Sequence, residues 1–269
     1  MPETFDLEAT DPALPSWVRR VWPAERSVLH GIGTPDWSKP ALSIIGTTRP
    51  EPIARTWAFE LGREAAARGW SVVSGLALGV DNYAHEGAIA GGGHTLAVIS
   101  QGIDSRLLND LTALATRIVR ANGAILSISE PGDDPTRERL LLRNKWTSAF
   151  GIGAIAVQAR GRNGTLATMR HAVLQGRLAA TFQPPSEADP EQWNGNSLLL
   201  SEVPPWRLRE SSVNTWKPAF CLTGSGSFDD LFSALSAQLE KLQSQIVVDS
   251  PATPSQRQLF EERPQYGDS

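Results

Sequence analysis

Residues 71–102 read SVVSGLALGVDNYAHEGAIAGGGHTLAVISQG, and the fold follows from where this run breaks. A short β-branched run at 71–74 stops at Gly75, a helical stretch follows, and a second apolar run fills 95–100. That is the pattern of one strand–helix–strand unit. A parallel strand pair needs a crossover of a dozen or more residues, and 79–93 supplies one that packs back on the sheet with the usual right hand. Gly75 and Gly79 stand in the turn between strand and helix, where the missing side chains let the backbone come close to a ligand. Ligands of open α/β sheets sit at this carboxyl edge.

Outward from that unit the alternation continues. Strands are predicted at 41–45, 124–129, 154–159 and 178–182, and helices at 52–68, 107–121, 135–150 and 165–175. The 52–68 helix carries Ile53, Trp57, Leu61 and Ala65 on one face. Asn122-Gly123 and Gly176 supply helix stops. Six strands alternating with helices predict an α/β, doubly wound, mostly parallel sheet over 41–184. Residues 1–40 are expected to form an irregular Trp/Pro-rich extension packed on this core, with one short helix near 16–22. Residues 185–248 form a C-terminal extension: a polar linker at 186–196, an extra strand at 197–203, and an amphipathic helix at 227–245. That helix brings Phe228, Leu231, Phe232, Leu235, Leu239 and Leu242 to one face. The polar tail at 249–269 is expected to be disordered.

Composition sets further bounds. The chain has 269 residues, 41% of them apolar, ample for a buried core. No run approaches the length of a membrane span, and the opening MPETFDLEATDPALP has neither the basic nor the apolar region of a signal peptide, so a cytoplasmic protein is expected. A single cysteine, Cys221, excludes an internal disulfide framework and a cysteine-rich zinc site. The net charge of −4 hides an asymmetry: 41–183 holds fifteen Arg plus Lys, fourteen of them Arg, against eleven Asp plus Glu. Arginine suits planar phosphate contacts and base stacking, although solvated helix faces would give the same count. Trp17, Trp22 and Trp37 could stack on bases, but tryptophans in a Pro-rich leader more often pin it to a core.

The strand-end turns carry the candidate chemistry. After the first strand, Gly46-Thr47-Thr48-Arg49 opens a helix, so free N–H groups and a positive dipole end stand beside two hydroxyls and a guanidinium. Parallel topology brings three more turns to the same edge. These are Gly75 to Asp81, then Glu130-Pro131-Gly132 with Arg143-Asn144-Lys145 beyond it, and finally Arg160-Gly161-Arg162-Asn163-Gly164-Thr165. No G-x-G-x-x-G follows the first strand and no Walker-type G-x-x-x-x-G-K-[ST] occurs. No histidine pair stands at ligand spacing with a third partner, so neither a metal nor a cofactor is expected.

Several ordered motifs resemble the DprA/Smf family of DNA-processing proteins. Gly75-Leu-Ala-Leu-Gly-Val-Asp81 is similar to its G-L-A-x-G-I-D, Ala84-His85-Glu86-Gly87-Ala88 to A-H-x-x-A, and Gly92 to Val98 to G-G-x-T-I-A-V. Ser129-Glu130-Pro131, Arg143-Asn144-Lys145 (family R-N-R) and 163–168 (family S-G-S-L-x-T) continue the match. The resemblance covers about 41–184 and implies an extended Rossmann-like domain that binds single-stranded DNA without catalysis. It further implies a homodimer that helps load a RecA-type recombinase. By the same resemblance Arg49 matches the arginine of a G-S-R turn that contacts phosphate, Arg143 and Lys145 stand at the basic positions of R-N-R, and Arg162, Gly164 and Thr165 line the same pocket. Leu140 stands where the family has an aromatic, and Gln158 where it has an acid.

Other readings compete at single positions. Asp81 and His85, one helical turn apart, could be an acid/base pair, or a helix cap beside a packed histidine. Trp146 could stack on a base or fill a gap between helices. On the same scaffold a sensor of a nucleotide-derived ligand would use the same turns. A phosphoribohydrolase of the Lonely Guy type is disfavoured, because Thr168, Met169 and Arg170 stand where its glutamate belongs. A scaffold that contacts only proteins is the third class. Transformation, recombination, a mobile element and anti-phage defence would each accept such a domain.

Overall fold

The computed structural model describes residues 3–8, 10–22, 28–107, 109–161, 164–203, 205–206 and 217–245. Six parallel strands lie at its centre: β3 (Ala41–Ile45), β4 (Ser71–Ser74), β5 (Thr95–Ile99), β6 (Ala124–Ser127), β7 (Gly153–Ala156) and β8 (Leu178–Phe182). All residues of the first five are buried, as expected where helices cover both faces of a parallel sheet. Between these strands run α2 (Pro52–Ala67), α3 (Val80–Ala90), α4 (Asn109–Arg120), α5 (Arg137–Phe150) and α6 (Gly164–Leu174). Successive side chains of β7 serve both layers: Ala154 and Ala156 pack with Leu166 and Met169 of α6, whereas Ile155 belongs to the large core that includes α2.

The sheet is wider than six strands, and the leader is not irregular. Here β1 (Thr4–Glu8) and β2 (Val28–Gly33), flanking α1 (Ser16–Val21), form an antiparallel pair that docks on β6. Burial along β1 alternates strictly, the mark of a strand with one face in water. Such a strand lacks the continuous apolar run that identified the others. At the opposite edge, β9 (Phe220–Leu222) pairs with β8, giving the order β1-β2-β6-β5-β4-β3-β7-β8-β9. The leader's tryptophans are packed inside: Trp17 and Trp22 are buried, Trp22 lies 4.1 Å from Trp146, and Trp37 stacks on Phe150. Trp146 is 1% exposed, so it fills the space between helices. Arg177 secures α1 by donating to the Trp17 and Ala149 carbonyls at 2.8 and 3.0 Å.

Residues 186–203 hold a helix in place of the expected linker and strand. In α7 (Pro190–Leu199) Asp189 accepts from the Glu191 N–H at 3.0 Å and Pro190 takes the first position, two start signals that outweigh the polar composition. Its key residue is polar. The fully buried Asn196 accepts from the Ala159 N–H at 2.8 Å and donates to Val157 O, Thr181 Oγ1 and Phe182 O at 2.9–3.1 Å, satisfying the ends of β7 and β8. Asn196→Ala leaves these groups without partners, and a loss of about 2–3 kcal/mol is expected in urea denaturation. The helix expected at 227–245 is α8 (Phe228–Ser244), and the tail at 249–269 lies outside the described residues. Among the described residues no helix is long and apolar enough to cross a membrane.

Candidate functional site

Strand order reverses at β3, which has β4 on one side and β7 on the other, both parallel to it. This is the switch point where a doubly wound sheet opens a crevice. The turn after β3 is laced to its neighbours. Thr47 donates from its N–H to Gln158 O at 2.8 Å and accepts from the Val80 N–H at 3.1 Å, while the Gln158 side chain accepts from the Glu51 N–H at 2.8 Å. Gly79, at φ +84°, lies so close that any side chain would strike the Thr47 carbonyl and the Thr48 backbone. Leu76 takes the left-handed conformation at φ 49° while buried. Such backbone persists only where its surroundings enforce it.

Above these turns opens a cleft of about 880 Å³ between the ends of β3, β4 and β5 and the segments leading into α4 and α5. Three arginines line it, Arg49, Arg106 and Arg143, and no carboxylate does among the described residues. Thr48 and Arg49 are exposed on its rim. Leu78 and Leu140 also face it, 46% and 42% exposed, large apolar side chains that contribute little to the core.

Arg143 lies on the cleft floor, not on its rim. Its side chain is 12% exposed and its guanidinium sits 3.7 Å from the Asp81 carboxylate, so close over Gly75 that a side chain there would collide with it. Burial pulls the Arg143 guanidinium down from its ordinary value and the Asp81 charge opposes that shift. For Asp81 burial dominates and raises the carboxyl pKa, against the Arg143 charge and the hydrogen bonds it accepts. One of those comes from the Gly75 N–H at 3.1 Å. Asp81 thus braces the β4 turn and makes no side-chain cap on α3. The Asp81–His85 pair does not form: His85 is fully buried and shares a 2.7 Å hydrogen bond with Thr95 Oγ1. Burial holds its pKa down at about 3.

The twelve described residues among the fourteen singled out in the sequence fall into two groups. Thr48, Arg49, Gly75 and Arg143 line the cleft, with Gly46, Thr47 and Gly79 forming the turns behind it. Asn144, Lys145, Arg160, Gly164 and Thr165 do not line it. Arg160 and Gly164 are exposed near the end of β7, whereas Thr165 and Lys145 are buried. Burial lowers the Lys145 pKa to about 8. Arg162 and Asn163 lie outside the described residues. Sequence reasoning missed Arg106, Gln101, Leu78 and Leu140 as lining residues. Gln101 follows β5 and its backbone is pinned by Ser127 Oγ, which donates to its carbonyl at 2.7 Å. The available signal was topology, since the turn after β5 had to reach the same edge.

Known proteins share this architecture. A sequence model described as DNA recombination-mediator protein A matches residues 7–209. DNA processing protein DprA of Bacillus subtilis is 31% identical over 136 residues, covering 51% of this chain and 46% of that protein. The putative DNA processing protein DprA of Mycobacterium tuberculosis is 33% identical over 145 residues, 54% of this chain and 37% of that one. The chain thus spans about half the length of these relatives or less. Among solved structures, DNA processing protein A of Streptococcus pneumoniae superposes with a TM-score of 0.66 at 22% identity, covering 84% of this chain and 72% of that one. The Helicobacter pylori protein, described for its single-stranded DNA binding mode, gives 0.64 at 24% identity over 90% of this chain and 99% of that one. With the family model covering most of the chain and the fold shared, this protein belongs to the DNA recombination-mediator protein A family, also called DprA/Smf.

Proposed function

We propose that this chain binds single-stranded DNA in the strand-end cleft and serves DNA processing or recombination without catalysing a reaction. The cleft lining carries the reading: three arginines, two exposed leucines and no carboxylate among the described residues, at the switch point of the sheet. Phosphates are met by guanidinium and backbone N–H groups, and sugar or base faces by apolar side chains. Absence of chemistry is favoured by the engagement of the two groups suited to acid/base work, Asp81 with Arg143 and His85 with Thr95. Handing the bound strand to a RecA-type recombinase, and dimerisation of the chain, belong to the same proposal and draw on the family alone. A cytoplasmic location, expected from the sequence, is part of the proposal as well.

The test is anisotropy of a fluorescent oligothymidine against a duplex of equal length over a range of salt. Binding of the single strand is expected to weaken steeply with salt. Arg49→Ala with Arg106→Ala should lower affinity by about ten-fold per arginine and flatten the slope of log K on log salt by about 1.4. Failure to bind at low salt, with a nucleotide instead raising the melting temperature, would move the cleft to a small-ligand role.

A further inference from the structure

We propose that the groove between α2 and α3 is a second binding site for single-stranded DNA, taking the continuation of the strand held in the cleft; this rests on the reading of the cleft as a DNA site. The groove encloses about 350 Å³ and is lined by Arg55, Thr56, Phe59, Glu60, Arg63 and Tyr83. Its shape follows from two glycines. A side chain at Gly62 would strike the Ala84 carbonyl, and one at Gly87 the Phe59 carbonyl, so the helices touch backbone to backbone. No large side chain fits between them there, and the rings of Phe59 and Tyr83 stand half-buried beside the groove. Tyr83 packs partly on the core, whereas Phe59 joins no buried cluster and pairs with no other ring among the described residues. Half-exposed rings flanked by cations are what unpaired bases stack on, and they do so with little regard to sequence.

Charge and continuity favour the same occupant. Arg55 and Arg63 are exposed, and Arg63 enters no ion pair among the described residues. Glu60 is the one carboxylate on the groove lining, which leaves it basic. Arg55 Nε donates to the Pro50 carbonyl at 3.0 Å, joining the groove to the turn whose Arg49 lines the cleft. From Arg55 to Arg63 is about 12 Å along the helix, enough to lead a strand away from the sheet edge. An acidic protein segment would answer the arginines but would leave the two rings without a matching partner.

Binding of the full chain to oligothymidines of about 6 and about 20 nucleotides, one near the lower end of usual single-strand sites and one beyond their upper end, tests this. Phe59→Ala with Tyr83→Ala should bind the longer oligomer about ten-fold more weakly than the parent and the shorter one equally well. Arg63→Glu, on the exposed face of α2, should give the same selective loss and a shallower salt slope; it decides the question if the ring variant does not fold. Unchanged affinity of both variants for the longer oligomer overturns the inference, including the case in which the groove serves a protein. Equal loss on both lengths overturns it too, since the groove would then not act separately. If the parent chain binds neither oligomer, the reading of the cleft itself fails.

Discussion

Arg143→Met should lower the free energy of unfolding by about 3–5 kcal/mol, and adding Asp81→Asn should restore most of that loss. The reason is burial. Both side chains are almost withdrawn from solvent, 12% and 8% exposed, with 3.7 Å between guanidinium and carboxylate. Removing the cation strands a carboxylate that burial already disfavours, whereas neutralising both leaves no charge to strand. Urea denaturation of the two single variants and the double variant closes the cycle. A single Arg143 variant as stable as its parent, impaired only in DNA binding, would return this residue to the surface role that the Arg143-Asn144-Lys145 motif suggests. On present geometry Arg143 supports the floor of the cleft, and Arg49 and Arg106 are the arginines to remove when binding alone is to be tested.

Acidification should destabilise the protein through His85, by up to roughly 5 kcal/mol between the two pH limits. The folded chain keeps this imidazole neutral to about pH 3, against an ordinary value of 6.5. Between those values the unfolded chain takes up a proton that the folded chain refuses. The stabilisation is therefore complete above pH 6.5 and drains away as pH falls toward 3. Unfolding free energies at pH 7 and pH 4.5 should differ by roughly 2–3 kcal/mol through His85 alone, and His85→Gln should remove that share; His171, whose pKa burial also lowers to about 3, adds a part of the same sign that the variant keeps. An unchanged pH dependence in that variant would place the acid sensitivity elsewhere. Asp81 acts with the opposite sign: its raised pKa keeps a proton on the folded form above pH 3.8, so its contribution is lost as pH rises. Asp81→Asn separates the two.

The parallel core was legible because its strands are buried on both sides. Ser71–Ser74 and Leu178–Phe182 follow directly from short apolar runs between turn residues, and the glycine turns mark the functional edge. Strands with one wet face left a weaker trace: TFDLE alternates polar and apolar residues over only five positions within a Pro-rich leader. Asn196 was illegible for another reason, since its value lies in hydrogen bonds to residues 14–39 positions away and not in any local pattern. The site divides along the same line. Glycines at 75 and 79 announce a close backbone approach, but spacing along α5 does not reveal that Arg143 meets a buried carboxylate from α3. Nor does it show that Lys145 turns inward.

The docking of β2 on β6 imposes an order on folding. Gly33 pairs with Ala124, about ninety residues later, and the Arg177 side chain that holds the Trp17 carbonyl comes 160 residues after it. A leader made before its docking surface therefore waits for it, with Trp17 and Trp22 uncovered in the meantime. Such distant pairings slow folding and expose apolar surface on the way. The growing chain thus depends on how quickly residues 41–177 follow: a pause in translation there prolongs the interval in which two tryptophans and an unpaired strand edge are open to aggregation.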